Sequence, residues 1–346
     1  MRQAIRQGLL GDPLPGEHQL ARQLGISRSS LRTALAQLRA EGLVISRNGR
    51  RARLNLSPLP VTTNAPPVVC VVCPVSRDVM VHNQHPIVME MHANCATKGI
   101  GWEEAFDARL DGPQPERHLR QLISGRTHVC WILLACPGPI QRWFARARVP
   151  AFVLGSCLPG VELPSIDVDY RAVGWHAAGI IIKHGHRHIG LLRPRKPLAG
   201  DLAAYEGFLS YIANGPAGIS ISTILVDANP AAFRAKLEWL KKSRHRPTAL
   251  FSNRLAYTVT AMFHLLQSGL RIPHDISLVM GDSHSLIDTA LPGLTRYRDI
   301  NVAHADRAVR IAQALLAGRQ VPVKPSLFIP TFMPGDTLGP PSDTPS

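Results

Sequence analysis

Ser27, Arg28, Ser29, Ser30 and Arg32 crowd two cations and three hydroxyls into six residues. Guanidinium groups pair bidentately with phosphate oxygens or with the major-groove edge of guanine, and hydroxyls bond to either. That chemistry is useful only if a rigid element holds the cluster on one face. Ser27 is a good helix N-cap, because its hydroxyl can accept from the orphan N–H groups of the first turn. Behind it Leu31, Leu35 and Leu38 recur at four and three residues, which makes one buried stripe. Arg28 and Arg32, four residues apart, fall on the opposite face with Ser29. A short helix over about 17–24 and a Gly25 turn are expected just before. Further on, VISRNGRRARL sets Asn48-Gly49 between two β-prone arms, the signal for a type I′ hairpin. Its arginines, Arg47, Arg50, Arg51 and Arg53, suit a wing lying along phosphates.

Charge distribution supports the same reading. The 346 residues carry a formal net charge of +15, and residues 1–54 account for +7 of it, ten arginines against Asp12, Glu17 and Glu41. A polyanion partner for this part follows. The 45% hydrophobic content describes a globular chain long enough for more than one domain. No apolar run reaches the roughly 18 residues of a membrane span, and MRQAIRQGLLGD is too short and polar for a secretory signal. The expected location is the cytoplasm.

Other reactive residue types carry less. Cys70 and Cys73 form a C-x-x-C inside VVCVVCP, which reads as a buried strand, and no second pair follows at zinc spacing. With Cys95, Cys130, Cys136 and Cys157 they read as core thiols. His184, His186 and His188 alternate as a metal pair would, yet no nearby acid or cysteine completes a shell. Ser156, His176 and Asp169 lack the G-x-S-x-G turn of a nucleophile. Phosphate-cradling glycine loops are absent as well. Neither an enzyme nor a cofactor or metal is expected.

After Leu54, LNLSPLPVTTNAPP has four prolines in fourteen residues and reads as a semi-rigid linker. From Val68 short apolar runs alternate with amphipathic stretches. Strands are expected in VVCVVCPV, VCWILLACP, PAFVLGS, PSIDVDY, HIGLLRP, TILVD, TALFSN and ISLVMGD. Helices are expected over 86–98, 115–124, 139–147, 170–184, 201–213, 230–243, 255–268 and 301–317. Such alternation implies parallel sheets between helices, enough for two, with ligands collecting at the carboxyl ends of the strands.

From Ile5 to Leu54 the chain resembles the DNA-binding domain of GntR-type bacterial regulators. The likeness rests on Leu14-Pro15-Gly16-Glu17, the Ser27-to-Arg32 helix start, Glu41-Gly42-Leu43 and Gly49 at the wing tip. It implies that Arg28, Ser29, Ser30 and Arg32 meet bases and phosphates while Gly49 brings backbone to the minor groove. His18 stands where such proteins commonly place a DNA-touching arginine, which weakens attraction to phosphate. The family also has another turn or two of helix ahead of Arg2, so the first helix is cut back or the true start lies upstream.

From about Val68 to Thr337 the chain resembles the effector domain of LacI-type repressors, related to periplasmic sugar-binding proteins. The matching stretches are Pro164-Ser165 with Val168-Asp169, Gly185 to Leu192, Arg246-Pro247-Thr248-Ala249 with Ser252-Asn253, Gly269 to Pro273, and Pro292 to Thr295. This likeness implies a homodimer, an inverted-repeat double-stranded DNA operator and a small-molecule effector, a sugar or a derivative, near Asn253 and Asp282. Three departures qualify the effector: Ala204 replaces an arginine, Gly155 an acid and Arg254 an aspartate. The ligand is then no ordinary hexose, or the pocket has changed function.

The expected architecture is α/β: a winged helix-turn-helix (1–56), a proline-rich linker (57–67), a bilobed periplasmic-binding-protein-like domain with two parallel sheets (68–337), and a disordered tail (338–346). Lobe one would take about 68–160 plus 297–322, lobe two about 161–294 plus 323–335. The expected function is an effector-controlled transcriptional repressor with no membrane partner; the alternative is a DNA-binding regulator whose lobes only dimerise.

Overall fold

In the computed structural model the described residues are 14–40, 44–45, 53–54, 66–75, 86–226, 230–242, 246–282, 285–299 and 301–342. The chain divides into two units, Met1–Thr62 and Thr63–Ser346. Among the described residues no helix is long and apolar enough to cross a membrane.

The first unit is small. Helix α1 (Glu17–Leu24) stops at Gly25, whose φ of 65° closes the helix in the left-handed conformation, with Ile26 N–H returning to the Ala21 carbonyl. Helix α2 (Arg28–Ala40) starts behind Ser27, whose Oγ accepts from Ser30 N–H at 3.1 Å. Strands β1 (Val44–Ile45) and β2 (Arg53–Leu54) pair antiparallel. The leucine stripe is buried as its spacing requires: Leu31, Leu35 and Leu38 pack with Leu14, Leu20, Ala21 and Val44. The Asn48-Gly49 turn lies outside the described residues.

The second unit holds two six-stranded sheets. In chain order its first part runs β3 (Val68–Cys73), α3 (Pro86–Thr97), β4 (Gly101–Phe106), α4 (Pro115–Ile123), β5 (Val129–Leu134), α5 (Gly138–Ala147), β6 (Ala151–Leu154) and β7 (Ser165–Val168). Next come α6 (Tyr170–Lys183), β8 (His188–Pro194), α7 (Ala199–Ala213), β9 (Ser220–Val226), α8 (Pro230–Lys242), β10 (Ala249–Ser252), α9 (Leu255–Gln267), β11 (Ser277–Met280), α10 (Ser285–Ala290) and β12 (Thr295–Arg298). The chain finishes with α11 (Asn301–Leu316), β13 (Ser326–Phe328) and β14 (Thr331–Met333). The first sheet is ordered β13-β7-β6-β5-β3-β4 and is parallel throughout. The second is ordered β14-β12-β11-β10-β8-β9, with β14 antiparallel at its edge. Helices cover both faces, so alternate residues of a strand enter different cores: Val69 and Val71 join one, Cys70 and Val72 the other.

The chain crosses between sheets at residue 169, near residues 299–300 and at 329–330. These crossings shift the expected lobe boundaries. β7 belongs to the first sheet although its segment was assigned to lobe two. β12 belongs to the second although 297–322 was assigned to lobe one, and β13 to the first although 323–335 was assigned to lobe two. A strand buried on both faces, as SIDV is, reads alike in either sheet. The tail expectation also needs correcting for its described part. Gly339 O accepts from His186 Nε2 at 2.8 Å and from Ser277 Oγ at 3.2 Å, and Leu338 packs on the second-lobe core. His186 is fully buried, and its other ring nitrogen meets Thr248 Oγ1 at 2.8 Å. A buried imidazole leaves a heavy penalty if its nitrogens lack partners, and the tail supplies one. All six cysteines are free thiols.

Helices α6 and α7 touch backbone to backbone. A Cβ on Gly174 would overlap the Ala204 carbonyl, and one on Gly207 would overlap that of Arg171. Substituting Gly174→Ala is therefore expected to cost about 3 kcal/mol or more, read as a lower denaturation midpoint of the full chain. A midpoint unchanged from wild type would show that the two helices can part freely.

Candidate functional site

On the first unit, His18, Ser27, Arg28, Ser29, Ser30 and Arg32, of the residues expected to face DNA, are each exposed. Ser27 Oγ lies 2.8 Å from both Ser29 Oγ and Ser30 Oγ, so the three hydroxyls form a local network at the start of α2. Arg28 and His18 are exposed. Arg32 is less free than its position implies: its Nε donates to Glu17 Oε2 at 2.8 Å, tying α2 to α1. Because Nε is the atom held, the two terminal nitrogens of the fork stay available for an acceptor pair. Arg47, Gly49, Arg50 and Arg51 lie outside the described residues.

On the second unit a cavity of about 230 Å³ opens where the carboxyl ends of the two sheets face each other. The first lobe contributes Gln141, Ser156, Asp167 and His304; the second contributes Tyr170, Asp201, Asn253, Arg254 and Asp282. Asn253 and Asp282, both expected here from sequence, do line it. They are joined by groups that strand and helix patterns did not single out.

Arg254 is the principal cation of the wall. Its Nε and Nη2 reach the two oxygens of Asp201 at 2.9 and 2.5 Å, a fork-to-fork pair. Burial works to lower its pKa, but the bonds to Asp201 outweigh burial and raise it. Asp201 also accepts from Leu198 N–H at the start of α7, which fixes the carboxylate. Arg254 brings a guanidinium to the wall from the loop after β10, not from position 204. Ala204 itself is buried in the second-lobe core, away from the cleft wall. Similarly, the acid missing at Gly155 is matched one strand over by Asp167, which accepts from Ser156 Oγ at 2.6 Å and from Val168 N–H at 2.8 Å. Burial pushes the Asp167 carboxyl up to about 7 despite those two bonds. Tyr170 donates to Asp282 Oδ1 at 3.2 Å. Asp299 Oδ2 lies 2.9 Å from His304 Nδ1, both residues buried, and the imidazole stacks on Phe328.

Two buried atoms on this wall have no hydrogen-bond partner: Asn253 Oδ1 and His304 Nε2. Orphaned buried polar atoms are costly. A wider basin of about 620 Å³ lies between α4 and α5, lined by Arg117, Arg120, Arg142 and Arg146. Glu116 pairs with two of these arginines, and the basin is open surface without buried polar atoms aimed into it. Ser156, His176 and Asp169 are not assembled together: Ser156 serves Asp167, Asp169 caps α6, and His176 bonds Tyr297. The one signal that could have found Asp167 is a lone acid inside an otherwise apolar strand.

Residues 1–54 match the gntR family of bacterial regulatory proteins, and residues 178–338 match the periplasmic binding protein-like domain. The chain thus carries a stretch that matches the gntR model ahead of one that matches the periplasmic binding protein-like domain. Over 201 residues the chain is 28% identical to the HTH-type transcriptional regulator GalR of Escherichia coli K12, covering 56% of this chain and 57% of GalR. Over 39 residues it is 62% identical to a putative L-lactate dehydrogenase operon regulatory protein of the same organism, 11% of this chain and 15% of that one. The chain spans little more than half the length of GalR and 15% of that operon regulatory protein. The body's fold is shared with a periplasmic binding protein/LacI transcriptional regulator from Alkaliphilus metalliredigens complexed with D-xylulofuranose, at TM-score 0.62 and 14% identity over 78% of this chain and 98% of that one.

The Asp167 carboxyl generates a pH prediction. An acid whose pKa is higher folded than unfolded holds its proton better in the native state, so its effect on stability is lost as pH rises from about 4 to about 7. The uncharged Asp167→Asn variant is expected to melt within a degree or so of wild type at pH 4 but roughly 2 °C or more above it at pH 8. Equal melting at pH 8 would mean that the buried carboxylate ionises without cost.

Proposed function

We propose that this chain is a sequence-specific DNA-binding transcriptional repressor whose operator affinity is set by a small molecule held between the lobes. What carries the reading is the pairing of two features in one chain. An N-capped helix presents Arg28, Ser29, Ser30 and Arg32 on an exposed face, and a separate cavity holds unpartnered buried polar atoms. A helix of this kind fits the major groove, with Arg32 aimed by Glu17 at a guanine edge and Arg28 at guanine or phosphate. His18, Arg47, Gly49, Arg50 and Arg51 would supply backbone contacts.

Control follows from linkage. An effector that bonds both lobes favours one closure of the cleft, and two heads in a homodimer favour one spacing on an inverted-repeat operator. If closure alters that spacing, effector and operator change each other's affinity by the same factor. The likeness to a periplasmic binding protein/LacI transcriptional regulator complexed with D-xylulofuranose supports an effector of the sugar class. The orphan atoms favour a liganded cleft over lobes that merely dimerise.

The test is selection from a random duplex pool with the full chain at moderate ionic strength. A single enriched inverted repeat is expected; failure to enrich any sequence overturns the reading. On the selected site Arg28→Ala and Arg32→Ala should each cost about 1–3 kcal/mol in gel-shift titrations. Glu17→Ala should relax preference at the base pair that Arg32 meets while non-specific binding holds. Unchanged affinity in both arginine variants would displace α2 from the groove. Asp282→Ala is expected to abolish release by an effector found in a metabolite screen, with operator binding retained; a normal response in that variant removes Asp282 from the effector site.

A further inference from the structure

We infer that the α4–α5 surface of lobe one is a second contact for the phosphate backbone of duplex DNA, on the flanks of the site held by the heads. The inference rests on the DNA-binding reading above and extends it from the head to the body. Its starting point is charge. From Gly112 to Val161 the chain has six arginines, no lysine and no aspartate, with Glu116 as the only acid, a net +5 in fifty residues. Residues 1–54 carry +7 of the total of +15. Positive charge beyond the head is therefore concentrated in one stretch, as a polyanion partner requires.

The fold gathers this charge on one face. Helix α4 buries Leu119, and α5 buries Ile140, Gln141 and Phe144, which leaves Arg117, Arg120, Arg142 and Arg146 exposed. All four line the same basin of about 620 Å³. Glu116 pairs with Arg120 at 3.5 Å and with Arg146 at 3.2 Å, while Arg117 and Arg142 have no acidic partner among the described residues. Arg117 and Arg120 stand three apart and Arg142 and Arg146 four apart, spacings at which like charges repel along a helix. Both helices also begin at the basin, where Gln114, Pro115 and Pro139 line it, so the positive ends of two helix dipoles add to the guanidinium groups. Among the described residues of the basin one carboxylate offsets that charge. A row of phosphates offsets the rest.

Shape and position select a duplex over a small anion or an acidic protein. The basin is open surface, which suits a passing backbone and gives a lone small anion no enclosure. Its cations are all arginine, whose planar fork takes two phosphate oxygens at once and sheds water more readily than an ammonium does. Arg120 and Arg146 lie in the last turns of their helices, and between parallel strands those turns run toward the edge where strands start. At that edge Val68 N–H, at the start of β3, donates to His128 O just before β5. The proline-rich stretch 57–67 delivers the chain from the head to this same edge. A body tied to a DNA-bound head meets the flanking duplex at a high effective concentration, an advantage that a free acidic protein lacks.

The experiment is gel-shift titration of the full chain over a range of salt concentrations on two duplexes: the selected operator alone, and the operator with about 15 base pairs added on each side. The wild type is expected to bind the longer duplex about fivefold or more tighter, with a steeper salt slope. In the chain carrying Arg117→Gln, Arg142→Gln and Arg146→Gln that gain should vanish, and the slope on the longer duplex should fall by about 2 or more. Affinity for the operator alone should hold, which a damaged head would not allow. No gain from the flanks in the wild type, or an equal gain in the variant, overturns the inference and leaves the head reading standing. If selection finds no operator, the head reading falls, and a random duplex of about 40 base pairs then decides the body contact by the same change of slope. Poly-L-glutamate tests the rival partner: if the variant loses binding to it and keeps the flank gain, the face is for an acidic polypeptide and the duplex assignment is overturned. Should the triple variant melt early, Arg117→Gln with Arg142→Gln, which breaks no ion pair among the described residues, carries the same test.

Discussion

Parallel strand pairing is the constraint from which the cleft follows. In a parallel sheet every connection returns to the starting edge through a helix, so all strands finish on one side. Both sheets of the body are parallel apart from one edge strand, and their carboxyl ends meet across the cavity. The residues just past those ends, Gly155 and Ser156 after β6, Asn253 and Arg254 after β10, Asp282 after β11 and Asp299 after β12, then become wall. The strand interiors are mostly committed to two apolar cores, and the few polar residues there, such as Ser277 and Arg296, are bonded to backbone carbonyls. Asp167 is the exception, and its elevated pKa reflects the burial it accepts.

The same constraint makes the cleft a place where charge is concentrated. Strand ends are where polar residues can stand without disturbing either core, and here six ionisable groups form three bonded pairs: Asp201–Arg254, Asp299–His304 and Asp282–Tyr170. Asp201 is held by two bonds from Arg254 and one from Leu198 N–H, and the buried Asp299 and His304 bond to each other. Tyr170 belongs to the first helix after a crossing between lobes and reaches Asp282, so one hydrogen bond spans 112 residues of sequence. A site of this kind discriminates by leaving the wrong ligand's groups unpaired, not by contact area.

In the head the physical logic is local. The leucines of α2, its Ser27 cap and the Gly25 turn all act within a few residues, and each does in the structure what its type and spacing require. The Glu17–Arg32 pair depends on the packing of one helix against another, and it was not legible from the pattern of either. In the body, the long apolar strands and most helices were legible because burial on two faces leaves continuous runs. Short or exposed elements were not. GWEEAF at an edge, TRYR, SLF and TFM, and the short α10 have too few residues for a period to show.

Sequence by itself determined the head's surface chemistry, the alternation that makes an α/β body, and the presence of Asn253 and Asp282 at the ends of strands. It also showed three departures from the expected sugar-binding set. Tertiary structure decided what those departures mean. Arg254 is held at the wall by Asp201 of α7, 53 residues away in the chain. Lobe membership of β7, β12 and β13 was likewise a tertiary matter, because a strand's register partners, not its own residues, choose its sheet. Local periodicity reports which face of an element is buried; it carries no information about what lies on the other side.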